Sequence, residues 1–221
     1  MLIDHIGHIF WDGTGDISIP LIMRGIGRVA FPLFALLIAE GCIHTKNMKK
    51  YMIRLGIFAI VSQWFFAAFL QVELAQNLNI FFTLLLGVFV IYCYNFVKEK
   101  TLIHLLLFIA MFVLVFGIAF ELNTDYGGTG VLFIVLLYLA QKSRKKDIFV
   151  PLVLLAIVTI LYTPTTTFWL VLFIGGLCSA LPMVLYNGKL GYNKLKWVFY
   201  VFYPAHLFLL VIFRDYVLPV L

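Results

Sequence analysis

Charged residues are scarce in this chain of 221 residues, where Asp, Glu, Lys and Arg together make up only 12%. A soluble domain has about 25% charged residues and roughly 45–50% apolar ones. Here 64% of the residues are hydrophobic, and the mean hydropathy is +1.07. This composition excludes a soluble globular domain and an intrinsically disordered chain. It predicts a polytopic helical membrane protein.

Cysteines are also few, and none is spaced as a pair. Cys42, Cys93 and Cys178 lie in separate apolar stretches, so neither a zinc site nor a disulfide framework is expected. Gly127, Gly128 and Gly130 lie close together, but no Walker lysine follows them, which excludes a P-loop.

Long apolar runs make up most of the chain. A helix needs about 20 residues to cross ~30 Å of hydrocarbon. Such runs lie near residues 19–44, 51–71, 78–96, 101–120, 126–141, 148–162, 167–186 and 196–213. Residues 1–11 would span only ~16 Å, so we expect them to be the outer half of a truncated first span. The prediction is an all-α transmembrane bundle of about nine segments, forming a single domain over residues 1–221.

The basic residues indicate the orientation. Thirteen of the sixteen Lys and Arg residues fall in alternate loops, at 45–54, 97–100, 142–147 and 187–196. The intervening loops carry Asp and Glu but no Lys or Arg. By the positive-inside rule the basic loops are cytoplasmic, so the N-terminus is expected inside and the C-terminus outside. The net charge of +6 is thereby attributed to topology, and we expect a lipid bilayer, not nucleic acid, as partner.

Ionisable side chains inside spans are costly and mark functional sites. Away from the cytoplasmic ends, the predicted segments hold a clear set of such residues: Asp4, His5, His8, Arg24, Arg28 and His206. At ~1.5 Å per residue, His5 lies ~9 Å and His206 ~10 Å below the outer ends of their segments. By the same estimate, Arg24 lies ~8 Å and Arg28 ~14 Å deep. Three segments therefore bring titratable groups to similar depths in the outer half of the membrane.

Spacing within these segments predicts some of their contacts. Arg24 and Arg28 share a helix face, being four residues apart. Pro32 leaves the carbonyl of Arg28 without its helical donor and should kink the helix there. Asp4 and His5 point ~100° apart on a helix. We therefore expect Asp4 to pair with His8 or with an arginine of the neighbouring helix.

Other polar positions have two interpretations each. His206 is either a contact between helices or part of the site, and His8 is either a structural or interfacial histidine, the favoured role, or a catalytic one. Asn79, Thr83 and Gly87 share a face, which is typical of membrane helix packing but also fits a ligand. The run from Asp125 to Gly130 is a tight entry turn or a set of close-packing positions.

Several motifs in this order resemble the TraX family over residues 1 to about 210. Near the N-terminus they are MLIDHIG at 1–7, RVAFPLF at 28–34, AEG at 39–41 and HT at 44–45. Further along they are the run from Tyr51 to Ala59, LNIFFTL at 78–84, DYG at 125–127, YNGK at 186–189 and FYVFYPAHL at 199–207. TraX proteins are similar to a wider group of transmembrane acyltransferases, and the family is named for an enzyme that N-acetylates pilin.

The resemblance implies transfer of an acetyl group from acetyl-CoA to an acceptor at the membrane. The family's aspartate–histidine pair maps onto Asp4 and His5, its arginine onto Arg28 and its late histidine onto His206. A thioester is already activated, so transfer needs a base and an oxyanion stabiliser but neither ATP nor a metal. His5 fits the base and Arg28 the stabiliser, with Asp4 orienting the arginine. His206 is a second acid–base group or an acceptor contact.

The substrates are expected to contact further residues. We assign acceptor binding to Arg24, Asn79, Asp125, Tyr126 and Tyr203, and the phosphates of acetyl-CoA to Lys189. The acceptor itself, an amine or hydroxyl of a peptide, protein or sugar, is left open by the sequence.

A small transporter or channel is the alternative, because an Asp/His/Arg cluster within the membrane also fits a proton or anion path. In either case we expect an integral protein of the bacterial plasma membrane. Binding of acetyl-CoA distinguishes the two.

Overall fold

The structure is a computed structural model that describes residues 1–11, 13, 16–97, 101–142, 166–187 and 195–220. Within these residues the chain forms ten α-helices. They are α1 (Leu2–Ile9), α2 (Ile19–Gly27), α3 (Ala30–His44), α4 (Met48–Leu70), α5 (Ile80–Phe96), α6 (Leu102–Glu121), α7 (Gly127–Lys142), α8 (Thr167–Cys178), α9 (Ala180–Leu185) and α10 (Leu195–Ile212). A π-helical turn and a 3-10 turn follow, at Phe213–Val217 and Leu218–Val220.

Five stretches of the described chain are long and apolar enough to cross a membrane. They are Ile19–His44, Met48–Leu70, Leu102–Glu121, Thr167–Leu185 and Trp197–Val220. The helices α5 and α7 are apolar but shorter, with 17 and 16 residues. These lengths fit an integral membrane protein, and the predicted all-helical class is confirmed.

The expected number of about nine segments stays a prediction. The segment at the N-terminus is a helix of eight residues, α1, and the predicted span 148–162 lies outside the described residues.

The helix is interrupted at the position where a kink before Pro32 is predicted. One apolar stretch, Ile19–His44, is divided into α2 and α3 by a turn at Arg28 and Val29. Pro32 has no N–H to donate to the carbonyl four residues earlier, which is that of Arg28. The interruption places Arg28 at the C-terminal end of α2.

The chain divides into two compact units. The first unit comprises residues 1–34 and 146–221, and the second unit comprises residues 35–145. The prediction of a single domain stays a prediction.

In the second unit α5 packs against α4, α6 and α7. Its Gly87 faces Ile134 of α7, and a Cβ added there would lie 2.9 Å from the side chain of Ile134. Asn47, Asn79 and Thr101 cap the N-termini of α4, α5 and α6 through side-chain oxygens that accept from backbone N–H groups, the usual role of these residue types.

In the first unit glycines allow two close helix crossings. α1 packs on α2, and α2 packs on α8. A Cβ at Gly27 of α2 would overlap the Cβ of Asp4, and one at Gly7 of α1 would lie 2.7 Å from the carbonyl oxygen of Pro20. On the other side of α2, a Cβ at Gly25 would lie 2.8 Å from Val171, and one at Gly175 would overlap the carbonyl oxygen of Gly25. Small residues at membrane helix contacts let the backbones approach in this way.

Candidate active site

An ion pair joins α1 and α2 in the first unit. Nη2 of Arg28 donates to Oδ2 of Asp4 over 2.6 Å, and the two side chains are only 24% and 13% exposed. The expectation that Asp4 would pair with an arginine of the neighbouring helix is confirmed. The glycine at position 27 makes this contact possible, because a side chain there would occupy the space of Asp4.

A second contact joins α1 to α10. Nδ1 of His5 lies 2.8 Å from Nε2 of His206, although the two residues are 201 positions apart in the chain. The rings are nearly parallel, with an interplanar angle of 7° and centroids 5.0 Å apart. The sequence estimate of similar depths for these residues agrees with their direct contact.

Aromatic residues of α10 surround this histidine pair. Tyr203, 2% exposed, presents its ring edgewise to both histidines, with centroids 6.4 Å from His5 and 5.6 Å from His206. The ring of Phe202 stacks on His206 at 4.8 Å, and its carbonyl oxygen lies 2.7 Å from Nδ1 of His206. His206 therefore contacts two aromatic rings of its own helix, and only 4% of it is exposed.

Arg24 lies on the same face of α2, one turn before Arg28. Its guanidinium contacts Nδ1 of His8 on α1 and lies 5.6 Å from the centroid of the Phe168 ring of α8. Trp11 packs against the same ring at 5.3 Å. The structure thus brings Arg24 into the first unit with Asp4, His5 and His206, next to an aromatic pair.

The acceptor-binding residues predicted at 79, 125 and 126 belong to the second unit. Asn79 is fully buried. Its Nδ2 donates to the carbonyl of Ala59 over 2.7 Å and to Oε1 of Gln63 over 2.8 Å, while its Oδ1 accepts from the N–H of Phe81. Gln63 also donates to the carbonyls of Leu74 and Asn77, both over 2.7 Å. This network holds the 71–79 connection against α4.

Asp125 and Tyr126 lie in the turn before α7. The backbone of Asp125 accepts from the hydroxyl of Thr83 and donates to the carbonyl of Leu78 over 2.8 Å. Tyr126 has a left-handed backbone with φ of 66°, and Gly127 follows with φ of 53°. The structure shows the tight entry turn and also a close-packing position in this run, because a Cβ at Gly128 would lie 2.7 Å from the ring of Phe116. A role in binding substrate stays a prediction.

Lys189, assigned to the phosphates of the donor, lies outside the described residues. The other assigned residues fall into two sets: Asp4, His5, Arg24, Arg28, Tyr203 and His206 belong to the first unit, and Asn79, Asp125 and Tyr126 to the second.

Sequence reasoning missed several residues that build these contacts. Phe202 supplies a carbonyl and a ring to His206, and Phe168 supplies a ring to Arg24. Neither differs in the sequence from the many other phenylalanines of the chain. Gln63 was detectable, because a polar amide inside the predicted span 51–71 requires hydrogen-bond partners. Gly25 and Gly27, which lie between Arg24 and Arg28 in the sequence, could have been predicted as positions where helices approach closely.

Comparisons with known proteins identify the family. No solved structure matches the chain. A curated protein of Dichelobacter nodosus, described as "Probable fimbrial assembly protein FimC, serogroup H1", is 30% identical over 228 residues, covering 95% of this chain and 89% of that protein. The sequence model of the TraX protein family matches residues 1–214. Because that match covers nearly the whole chain, the protein belongs to the TraX family.

Proposed function

We propose that this protein is a membrane-embedded acetyltransferase, which moves an acetyl group from acetyl-CoA to an amine or hydroxyl of a membrane-associated or extracytoplasmic acceptor. The observation that carries the proposal is the hydrogen bond of 2.8 Å between His5 and His206. Asp4, the residue before His5, forms the ion pair with Arg28. A histidine held by a partner is suited to take and return a proton.

In the proposed reaction His5 acts as the general base. The acceptor nitrogen attacks the thioester carbonyl carbon, and His5 takes the proton that the nitrogen loses. The carbonyl oxygen gains negative charge in the tetrahedral intermediate, and Arg28 stabilises it. The C–S bond then breaks, and the departing sulfur receives the proton from His5. No further reactant is needed for this balance.

Asp4 has two roles in this mechanism. Its Oδ2 accepts from Arg28 and holds the guanidinium in place. Its Oδ1 is buried and has no hydrogen-bond partner in the described part of the chain. A buried carboxylate oxygen of this kind is costly when unsatisfied, so we propose that it accepts from an N–H of the incoming amine.

The relative's name supports one class of acceptor. That relative is described as a fimbrial assembly protein, and we propose a peptide amine of a fimbrial subunit as the acceptor here. Arg24 and Tyr203, which belong to the first unit with His5, remain the proposed acceptor contacts, and Lys189 remains the proposed contact to the donor phosphates. The assignments of Asn79, Asp125 and Tyr126 to acceptor binding stay predictions from the sequence. The proposed location is the bacterial plasma membrane.

The test compares two histidines on the same short helix. With protein in lipid nanodiscs, acetyl-CoA and a fimbrial-subunit peptide bearing a free amine, release of CoA thiol is measured. His5→Ala should lower turnover by about 10²–10⁴-fold, the usual contribution of a general base. His8→Ala is the matched control, because His8 is exposed and contacts Arg24 instead, so its loss should cost much less.

Two results would contradict this proposal. Equal losses in the two variants would remove the base role from His5. Movement of protons or anions through the protein, with no acetyl transfer to peptide or sugar amines, would favour a transporter or channel built on the same charged cluster.

A further inference from the structure

We propose that His206 is a positioning residue that fixes the tautomer of His5, so that the base of the reaction is Nε2 of His5. This inference rests on the proposed acetyl transfer for its catalytic meaning. The arrangement of protons on the two rings follows from a chain of four polar atoms: the carbonyl oxygen of Phe202, Nδ1 and Nε2 of His206, and Nδ1 of His5.

The first step concerns Nδ1 of His206. It lies 2.7 Å from the carbonyl oxygen of Phe202, four residues earlier on α10. A carbonyl oxygen accepts hydrogen bonds and has no proton to donate. Nδ1 of His206 must therefore carry the proton of this hydrogen bond.

The second step concerns the pair of rings. A neutral imidazole has one N–H and one lone pair, so a neutral His206 protonated at Nδ1 presents a lone pair at Nε2. Nδ1 of His5 lies 2.8 Å from that lone pair and must donate to it. A neutral His5 protonated at Nδ1 then has its own lone pair at Nε2, which is the nitrogen able to accept a proton.

The charged alternatives are restricted by the same geometry. The two facing nitrogens share one hydrogen bond, so only one of them carries a proton at a time. If His206 were the charged ring, it would donate from Nε2 to His5, and the neutral His5 would then be protonated at Nε2. In that state neither nitrogen of His5 can accept a proton from the substrate, because Nε2 is protonated and Nδ1 accepts from His206. The neutral pair is therefore the state before reaction, and a charged His5 is the state after proton transfer.

The proton balance of the reaction is then defined. The acceptor's proton moves to Nε2 of His5, and the resulting imidazolium keeps its Nδ1–H bond to Nε2 of His206. The proton then leaves from Nε2 to the departing sulfur of CoA. Throughout the reaction Nδ1 of His206 keeps its proton and donates it in the hydrogen bond to the Phe202 carbonyl. His206 therefore orients His5 and stabilises its charged form without exchanging a proton with the substrate.

The packing supports a fixed orientation of His206. Phe202 stacks on its ring with an interplanar angle of 16°, and Tyr203 lies edgewise to it at 69°. Both residues are on the same helix as His206. The ring therefore has little freedom to turn its Nδ1 away from the carbonyl, and the proton arrangement is built into α10.

A spectroscopic measurement tests the tautomers independently of any activity. Protein labelled with ¹⁵N at histidine, near pH 8 where unperturbed histidine is neutral, is examined by NMR in nanodiscs. For both His5 and His206 we expect protonated Nδ1 and unprotonated Nε2. Signals are assigned by their loss in His5→Gln and His206→Gln, with His44→Gln as the control that leaves both unchanged. A protonated Nε2 on neutral His5 would overturn the inference, whether or not the protein transfers acetyl groups.

The kinetic test uses two substitutions at position 206. Gln offers an amide oxygen near the position of Nε2 and can accept from Nδ1 of His5, whereas Leu offers no acceptor. We expect His206→Leu to lower kcat by at least about 100-fold with KM nearly unchanged, because only the proton transfer is affected. His206→Gln should recover to within about tenfold of the original protein.

Equal kcat in the Leu and Gln variants, with both proteins folded, would contradict the positioning role. If acetyl transfer is absent from the original protein while the NMR pattern is as expected, the proposed function fails and the tautomer assignment stands.

Discussion

At the scale of single residues, the Asp4–Arg28 pair is central because it places opposite charges inside an apolar unit. The contact, 2.6 Å long, is a charge-assisted hydrogen bond, a class that is shorter and stronger than bonds between neutral groups. Arginine presents a planar fork of donors, which lysine does not have. The pair can therefore either stabilise the bundle or hold a donor toward a developing oxyanion, and substitution by lysine separates the two roles.

We expect Arg28→Lys to lower turnover at least about tenfold, because the charge is kept and the planar fork is lost. Binding of acetyl-CoA should be nearly unchanged. Turnover and melting temperature are measured on the same preparation, with Arg54→Lys on α4 as a control that should retain turnover. A lowered melting temperature with normal turnover of the folded protein would assign Arg28 a purely structural role.

The sequence predicts part of this residue-level account. Depth estimates place His5 and His206 at similar levels, and the structure brings them into contact. Which nitrogens face each other depends on side-chain rotamers and on the packing of Phe202 and Tyr203, and no sequence pattern encodes those. For Asp4, spacing limits the partners to His8 or an arginine. The close approach at Gly27 selects Arg28, because it brings the backbone of α1 at Asp4 against the end of α2.

The buried position of Asn79 is explained by its structural hydrogen bonds as well as by the predicted acceptor binding. Its amide is engaged by Ala59, Gln63 and Phe81, so Asn79→Ala would leave buried groups without partners. We expect this variant to lose about 1–3 kcal/mol of stability for each such group and to keep its KM for the acceptor. Thermal unfolding and acceptor titrations check this. An increased KM with unchanged stability would instead support the predicted role in acceptor binding.

At the scale of helices, lengths and breaks were predictable but contacts between helices were not. Runs of apolar residues predict most of the observed segments, and Pro32 predicts the break between α2 and α3. The crossings of α2 with α1 and α8 depend on backbone approach at Gly25, Gly27 and Gly175. Apolar periodicity carries little information there, because in a membrane helix both lipid and protein faces are hydrophobic.

The Gly27 crossing gives a prediction about the position of α1. We expect Gly27→Ala to lower stability by about 1–3 kcal/mol, the usual cost of overpacking, and to reduce turnover because Asp4 and His5 shift together. The matched control is Gly176→Ala on α8, where an added Cβ meets nothing within 4 Å. Unfolding and turnover are measured for both. Equal effects of the two substitutions would mean that the close crossing does not position the site.

At the scale of the whole molecule, the charge distribution predicts how the chain crosses the membrane. Thirteen of sixteen basic residues lie in alternate loops, a bias that sets topology. The five long apolar stretches agree with membrane insertion, but length and composition alone do not orient them. The orientation determines whether the His5–His206 pair lies nearer the outer or the inner face of the membrane. It therefore determines the side from which the acceptor reaches the pair.

Labelling of single cysteines tests the orientation. In a background with Cys42, Cys93 and Cys178 replaced by alanine, Glu121→Cys should react with a membrane-impermeant reagent added outside, and Lys46→Cys should not. Both positions are exposed, so accessibility is matched. The reverse labelling pattern would invert the topology and place the histidine pair in the inner half of the membrane.

The central claim is that acetyl-CoA is a substrate, and its binding to the purified protein is the most direct test. A ligand at 100 times its dissociation constant stabilises the folded state by about 2.7 kcal/mol. For a protein of this size that corresponds to several degrees in melting temperature. We expect acetyl-CoA to raise the melting temperature of both the original protein and His5→Ala in a saturable manner. An unchanged melting temperature up to about 10 mM acetyl-CoA, well above the usual range of KM values, would contradict the account.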